Sequence, residues 1–146
     1  MTVELRRLIV GVDGSPNSLA AVEWVAGLAR LVGAEVTAVH ALGLLERFDA
    51  DPPVPVEGHG DEIRRRFEDV WTAPLNDLPV PARREMRYGR PADVLLGLGE
   101  EHDVDLVVVG TRGLGGAGLL LGSTSAEVAQ RCRRPVVVVP FSSAGP

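Results

Sequence analysis

Short unbroken runs of apolar, mostly β-branched residues constrain the fold of this chain most. In the clearest of them, at residues 105–109, the four residues that follow Asp105 are all apolar. A strand without polar alternation is typical of a parallel sheet that is covered on both faces. Strands are predicted at residues 8–12, 35–41, 83–87, 105–109 and 135–139.

Helical patterns fill the gaps between the predicted strands. Serine is a favoured N-cap and proline suits the first helical position. Ser15 and Pro16 therefore predict a helix that ends before Gly33, a candidate C-cap. Thr124 and Glu127 have the spacing of a capping box at the start of the last helix. The other helical segments are predicted at about 60–77, from 91 onwards and at 123–131.

This alternation of strands and helices predicts the α/β fold class. We expect a single three-layer domain over residues 1–141, with a five-stranded parallel sheet and helices on both faces. Residues 42–60, with prolines at 52, 53 and 55, are predicted to form a long loop, and 142–146 a disordered tail. Ligands of such sheets bind at the carboxyl ends of the strands where the strand order reverses, so the loops after the first and fourth strands are the candidates.

Composition excludes several classes of function. The chain has 146 residues, with 20 acidic against 15 basic side chains and a net charge of −5, which argues against a non-specific nucleic-acid binder. All the basic residues are arginine, so no lysine is available for a P-loop or a Schiff base. The lone Cys132 excludes an intrachain disulfide and a thiolate zinc site.

The same composition sets expectations about location. No apolar run approaches the roughly 18 residues of a membrane span, and the first residues lack the apolar core of a signal peptide. We therefore expect a cytoplasmic protein that binds neither membranes nor nucleic acids. The three histidines lie on different predicted elements, so no metal site is expected, and no motif of a catalytic triad is present.

The stretch after the fourth strand is rich in glycine. Residues 110–122 hold six glycines in thirteen positions, and Ser123 and Thr124 follow at a predicted helix start. Glycines allow backbone N–H groups to approach an anion, and a helix N-terminus adds free donors, so this segment predicts a phosphate site. The alternative is a surface loop with ordinary helix capping. The G-x-G-x-x-G at 113–118 is not a dinucleotide fingerprint, because no acidic residue follows at the expected distance.

The loop after the first strand offers a second set of polar groups. Asp13 lies where a strand meets a helix, so it either caps the turn, accepts a hydrogen bond from a ribose or base, or binds a metal. Val39, near the end of the second strand, offers a backbone contact to a base. Arg112 either neutralises a phosphate or is solvated.

Several segments together resemble the universal stress protein family. They are residues 9–15 (Ile-Val-Gly-Val-Asp-Gly-Ser), 88–92 (Tyr-Gly-Arg-Pro-Ala), 105–113 (Asp-Leu-Val-Val-Val-Gly-Thr-Arg-Gly), 122–123 (Gly-Ser) and 134–139 (Arg-Pro-Val-Val-Val-Val). The resemblance implies the strand order 3-2-1-4-5 and a homodimer formed through residues 136–139. It also implies binding of an adenine nucleotide, ATP with or without Mg²⁺, in a stress-response or signalling role.

The family's ATP signature, G-x2-G-x9-G-(S/T), implies the site residues. Gly110 and Gly113 match its first glycines, with Val109 and Arg112 beside them, and Gly122 and Ser123 match its end. By the same resemblance, Thr124 follows the phosphate-binding serine, while Val12, Asp13 and Val39 lie near the adenosine.

One departure from the signature leaves other functions open. Residues 114–121 number eight where the signature has nine, which shifts Gly122 and Ser123 by up to ~3.5 Å if it is not absorbed. A dimeric interaction module without nucleotide is the first alternative. A nucleotide-hydrolysing enzyme is the second, although no catalytic base is visible and hydrolysis is expected to be slow or absent.

Overall fold

The computed structural model of the protein describes residues 2–42, 56–111 and 121–140. Its strands are β1 (Arg7–Gly11), β2 (Glu35–Leu42), β3 (Arg83–Tyr88), β4 (Leu106–Gly110) and β5 (Val136–Val139). Its helices are α1 (Pro16–Val32), α2 (Val56–Arg66), α3 (Pro91–Glu101) and α4 (Ser123–Arg131). The predicted tail and most of the predicted loop 42–60 lie outside these residues. Across the described ranges, no helix has the length and apolar character needed to span a membrane.

All five strands are parallel, and their order is β3-β2-β1-β4-β5. The fold class and the strand order predicted above are thus confirmed. Because β1 pairs with β2 on one side and with β4 on the other, the chain leaves β1 and β4 toward opposite faces of the sheet. Their carboxyl ends border the point where the strand order reverses, which is the position of ligand sites in open α/β sheets.

Two clusters of buried side chains cover the two faces of the sheet. On one face, α1 and the segment after α2 pack on β1, with Val10 and Val22 at 0% and Phe67 at 1% exposure. On the other face, α3 and α4 pack on Ile9 and Val107, both 0% exposed. Burial on both sides explains why these strands lack polar alternation.

The prediction for the segment before β3 is wrong in two respects. The helix begins at Val56, within the predicted loop, and it ends at Arg66 instead of near residue 77. A π-helical turn (Phe67–Trp71) and a 3₁₀ turn (Ala73–Leu75) follow it. Pro74 lacks an N–H group and its ring clashes with the carbonyl four residues earlier, so an α-helix cannot continue through it.

Hydrogen bonds to Asp105 link the start of β4 to the start of β1. One of its carboxylate oxygens accepts the backbone N–H groups of Arg6 and Arg7 at 2.8 and 2.9 Å. Burial raises the pKa of this carboxyl, but the two backbone donors and the charges of both arginines outweigh burial, so its pKa is lowered. A carboxylate whose pKa is lowered by folding stabilises the fold above its unfolded pKa, and the stabilisation is lost as the pH falls.

We expect Asp105→Asn to lower the free energy of unfolding by about 1 kcal/mol at neutral pH, because a neutral acceptor replaces a charged one. The difference between variant and wild type should shrink as the pH falls below about 4, where the unfolded carboxyl is protonated. Urea denaturation of both proteins across that range measures it. A difference that is the same at pH 7 and in acid would contradict the assignment.

Candidate functional site

A cavity of about 380 Å³ opens at the carboxyl edge of the sheet. It lies among the ends of β1, β2 and β4 and the first turns of α1, α3 and α4, and its volume is in the range of small-molecule sites. The lining residues are Gly11, Val12, Asp13, Ser15, Pro16, Asn17, Ser18, Val39, His40, Ala41, Pro91, Leu95, Val109, Gly110, Thr111, Gly122, Ser123, Thr124 and Ser125.

Hydrogen bonds fix the loop between β1 and α1, residues 12–15, on one side of the cavity. Val12 donates its N–H to the carbonyl of Val39 at 2.8 Å, which ties the loop to β2. The N–H of Asp13 reaches the hydroxyl of Ser18 at 3.2 Å, and Ser18 in turn donates its N–H to the N-cap hydroxyl of Ser15 at 3.3 Å. The predicted cap of α1 is therefore present, and hydrogen bonds within the protein hold the loop in place.

Asp13 presents a negative charge at this side. Its Oδ1 accepts the N–H of Ser15 at 2.8 Å, and the residue as a whole is exposed. Partial burial of the carboxyl raises its pKa, but hydrogen bonds with Ser15 and Ser18 and the nearby His40 outweigh that effect, so the pKa of Asp13 is lowered. The carboxylate is therefore ionised at neutral pH and can accept hydrogen bonds from hydroxyl or amine groups.

The opposite side of the cavity is the N-terminus of α4. Gly122 is its N-cap, no side chain among the described residues makes a capping hydrogen bond there, and the first turn contains no acidic residue. Ser123, Thr124 and Ser125 line the cavity at this turn. The first N–H groups of a helix have no partner within the helix and carry the positive end of its dipole, so this turn is suited to an anion.

The predicted capping box at Thr124 and Glu127 is not formed. The cap lies two residues earlier, at Gly122, and Glu127 accepts hydrogen bonds from Arg131 at 2.9 Å and from Arg90. Arg131 also donates to Asp93 of α3 at 2.8 Å. Glu127 therefore belongs to an ion-pair network between α3 and α4 and does not cap the start of α4.

A close backbone contact sets the distance between α1 and the end of β4. A Cβ atom on Gly110, at the end of β4, would lie 2.3 Å from the carbonyl oxygen of Asn17 in α1. Only glycine permits this approach. The Oδ1 atom of Asn17 is buried and has no hydrogen-bond partner in the residues that the structure describes.

Eight residues of the predicted site line the cavity: Val12, Asp13, Val39, Val109, Gly110, Gly122, Ser123 and Thr124. The side chains of the three valines are at most 4% exposed, so they contribute their backbone and the floor of the cavity. Arg112 and Gly113 lie outside the described residues. The binding role of all ten stays a prediction.

Sequence reasoning missed several residues at the cavity. His40 was grouped with the scattered histidines, yet it lines the cavity and its Nδ1 lies 2.7 Å from the carbonyl oxygen of Val12. Asn17 and Ser18 were missed in the first turn of α1, as was Pro91 at the start of α3. Only their position in the predicted fold could have indicated these residues, since each lies at a helix start or near the carboxyl end of a strand. Within the described ranges no three His, Cys, Asp or Glu side chains are grouped to hold a metal ion.

Comparison with known proteins identifies similar chains along almost the whole length. The model of the Universal stress protein family matches residues 4–140. The universal stress protein YxiE of Bacillus subtilis is 30% identical over 145 residues, which cover 91% of this chain and 97% of the relative.

Two solved structures carry nucleotides. A universal stress protein in complex with cAMP is 31% identical, with a TM-score of 0.71 over 95% of this chain and 99% of that one. The universal stress protein from Archaeoglobus fulgidus in complex with dAMP has a TM-score of 0.68 over 94% of this chain and 99% of that one. At 18% identity, the second likeness shows the shared fold.

Proposed function

Because this chain belongs to the universal stress protein family, we propose that it binds an adenine nucleotide, with ATP as the ligand, in the cavity at the carboxyl edge of the sheet. One observation carries the proposal. An ionised carboxylate, Asp13, lies on one side of the cavity, and the N-terminus of α4, at Ser123, lies on the other, with no side-chain cap from the described residues. A nucleotide has the matching polarity, with hydroxyl and amine donors at one end and phosphate acceptors at the other.

The two halves of the ligand are assigned by this polarity. Asp13, with the backbone of Val12 and Val39, would face the adenosine. The phosphates would lie at the start of α4, bound by Ser123 and Thr124. Val109, Gly110, Arg112, Gly113 and Gly122 complete the proposed phosphate side.

The buried Oδ1 atom of Asn17, which has no partner among the described residues, fits a ligand that brings its own donor. Buried polar atoms in native structures nearly always have a partner, so an unpaired one calls for an explanation. Asn17 lies in the first turn of α1, after the loop that carries Asp13, and its backbone contacts Gly110 of the proposed phosphate side. The part of a nucleotide that lies between base and phosphates is the ribose, whose hydroxyl groups are donors.

A calorimetric titration with ATP and Mg²⁺ tests the proposal, with GTP as the control for the base. We expect micromolar affinity for ATP and at least tenfold weaker binding of GTP, a difference of about 1.4 kcal/mol. Titration with cAMP, the ligand of the relative described above, shows whether a triphosphate is preferred. Protein free of copurified nucleotide that binds none of these would contradict the proposal.

Nucleotide binding is proposed here without turnover. In the described part of the chain, the side chains at the cavity that could act as a general base are Asp13 and His40, and both lie on the proposed adenosine side. A single-turnover assay with Mg²⁺ is expected to show slow or no formation of ADP. Rapid formation of ADP would favour the enzyme alternative.

We also propose a homodimer formed through β5. The N–H groups of Val107 and Thr111 bond to the carbonyls of Pro135 and Val139, so residues 135, 137 and 139 face β4. Val136 and Val138 therefore turn their N–H and C=O groups to the outer edge, which pairs with no strand in the described part of the chain. A strand edge of this kind can pair with the same strand of a second copy of the chain.

Val138→Pro is expected to weaken this dimer by about 2 to 3 kcal/mol, because it removes an outward N–H twice in a symmetric pair. The pairing with β4 does not use that group, so the fold should persist. Sedimentation velocity measures the change, and Val138→Thr, which keeps the N–H group, is the control. A Val138→Pro protein that stays dimeric would place the interface elsewhere.

The interaction module without nucleotide remains the second candidate. The observation in its favour is the interval of eight residues between Gly113 and Gly122, one fewer than in the ATP signature. It predicts a dimer that binds no nucleotide, so the titration and the sedimentation experiment together separate the two functions.

A further inference from the structure

Trp71 lies behind the loop that carries Asp13. It is the last residue of the π-helical turn, and its ring packs against Gly14 in the middle of that loop. A Cβ atom on Gly14 would lie 2.5 Å from ring atoms Cε2 and Cζ2 of Trp71. Gly14 has a φ of +82°, a conformation that favours glycine, so both its backbone and the ring require a residue without a side chain.

The same ring supports the loop through a second residue. Trp71 meets His40 edge to face, with ring centroids 5.4 Å apart. His40 Nδ1 lies 2.7 Å from the carbonyl oxygen of Val12, at the start of the loop. The ring of Phe67, one turn before Trp71, is also near the imidazole, with ring centroids 6.0 Å apart. The indole therefore touches the loop at Gly14 and touches the side chain that holds Val12.

These contacts act on the cavity indirectly, through the residues on either side of Gly14. Gly14 lies between Asp13 and Ser15, and both of these residues line the cavity. Without the indole, Gly14 would lose the packing contact that restricts its backbone, and glycine has the widest backbone freedom of all residues. A π-helical turn is itself uncommon and is found frequently at functional sites.

We infer that Trp71 is a positioning residue for the proposed adenosine side of the cavity, an inference that rests on the proposed function. It acts through Gly14 and His40 and needs no contact with the ligand. Loss of the indole should therefore weaken the binding of AMP and of ATP by the same factor, because both nucleotides contain adenosine. A residue that affected the phosphate side would change ATP more than AMP.

The experiment compares Trp71→Ala, Trp71→Phe and wild type by calorimetry with AMP and ATP. We expect Trp71→Ala to weaken both nucleotides about tenfold, as a preorganised loop becomes free. Trp71→Phe keeps an aromatic wall and should restore affinity to within about threefold of wild type. Unchanged affinity in Trp71→Ala, or a loss confined to ATP, would overturn the inference and leave the proposed function intact. A wild type that binds neither nucleotide would overturn both.

A second measurement does not depend on the folding of Trp71→Ala. The chain has two tryptophans, and Trp24 is 40% exposed on α1. Trp24→Phe therefore leaves Trp71 as the single indole emitter. We expect its emission to change on addition of ATP, with a midpoint equal to the calorimetric affinity. Emission that stays constant at saturating ATP would overturn the inference.

Discussion

Gly110→Ala is expected to lower the free energy of unfolding by about 3 kcal/mol, the upper part of the range for overpacked sites. The added methyl group would lie 2.3 Å from the carbonyl oxygen and 2.6 Å from the carbonyl carbon of Asn17. Both are backbone atoms of α1, so relief requires the helix to move away from β4. Thermal and urea denaturation measure the loss, and nucleotide affinity should fall with it because the two sides of the cavity separate.

The matched control is the same substitution at Gly27 of α1. A Cβ atom there meets nothing within 4 Å. Alanine is favoured over glycine within a helix by about 1 kcal/mol, so Gly27→Ala should stabilise the protein. The one change, glycine to alanine, should thus have opposite signs at the two positions. Equal effects at both would show that the contact with Asn17 relaxes without cost.

Thr124→Glu is expected to weaken ATP binding about a hundredfold while it stabilises the protein. A carboxylate in the first turn of α4 interacts favourably with the helix dipole, by about 0.3 to 1 kcal/mol. The same charge occupies the proposed phosphate side, where a like charge costs about 2 to 3 kcal/mol of binding free energy. Calorimetry measures the affinity and thermal denaturation measures the stability.

Adenosine, which has no phosphate, is the control ligand for this variant. Its affinity should be the same for Thr124→Glu and the wild type. The isosteric partner Thr124→Gln carries no charge and should keep most of the affinity for ATP. A variant that is more stable and still binds ATP like the wild type would show that the phosphates do not bind at the start of α4.

The strands could be predicted because local pattern and tertiary burial agree in them. The apolar run at Leu106–Gly110 has no polar position, and the structure buries it between two layers of helices. The cap at Ser15 and the C-cap at Gly33, which has a φ of +72°, were equally local signals. The long segment before β3 was harder, because polar residues give a helical pattern without showing where the helix stops.

The cavity was predictable in outline and not in detail. The rule that ligands bind where strand order reverses placed it correctly at the ends of β1 and β4. His40 and Trp71 were missed because their role comes from contacts between β2, the π-helical turn and the loop after β1, and no spacing in the sequence encodes these contacts. The capping box at Thr124 failed because Arg90 and Arg131, on separate elements, compete for Glu127.

The position of β1 in the sheet also has a consequence for synthesis. β1 leaves the ribosome well before β4, yet it occupies the centre of the sheet, and one of its contacts, from Arg7 to Asp105, spans 98 residues. At about 5 to 20 residues per second, roughly 5 to 20 s pass before β4 follows it. During this interval β1 lacks its native neighbour on one edge, so the centre of the sheet is completed only when the second half of the chain has been made.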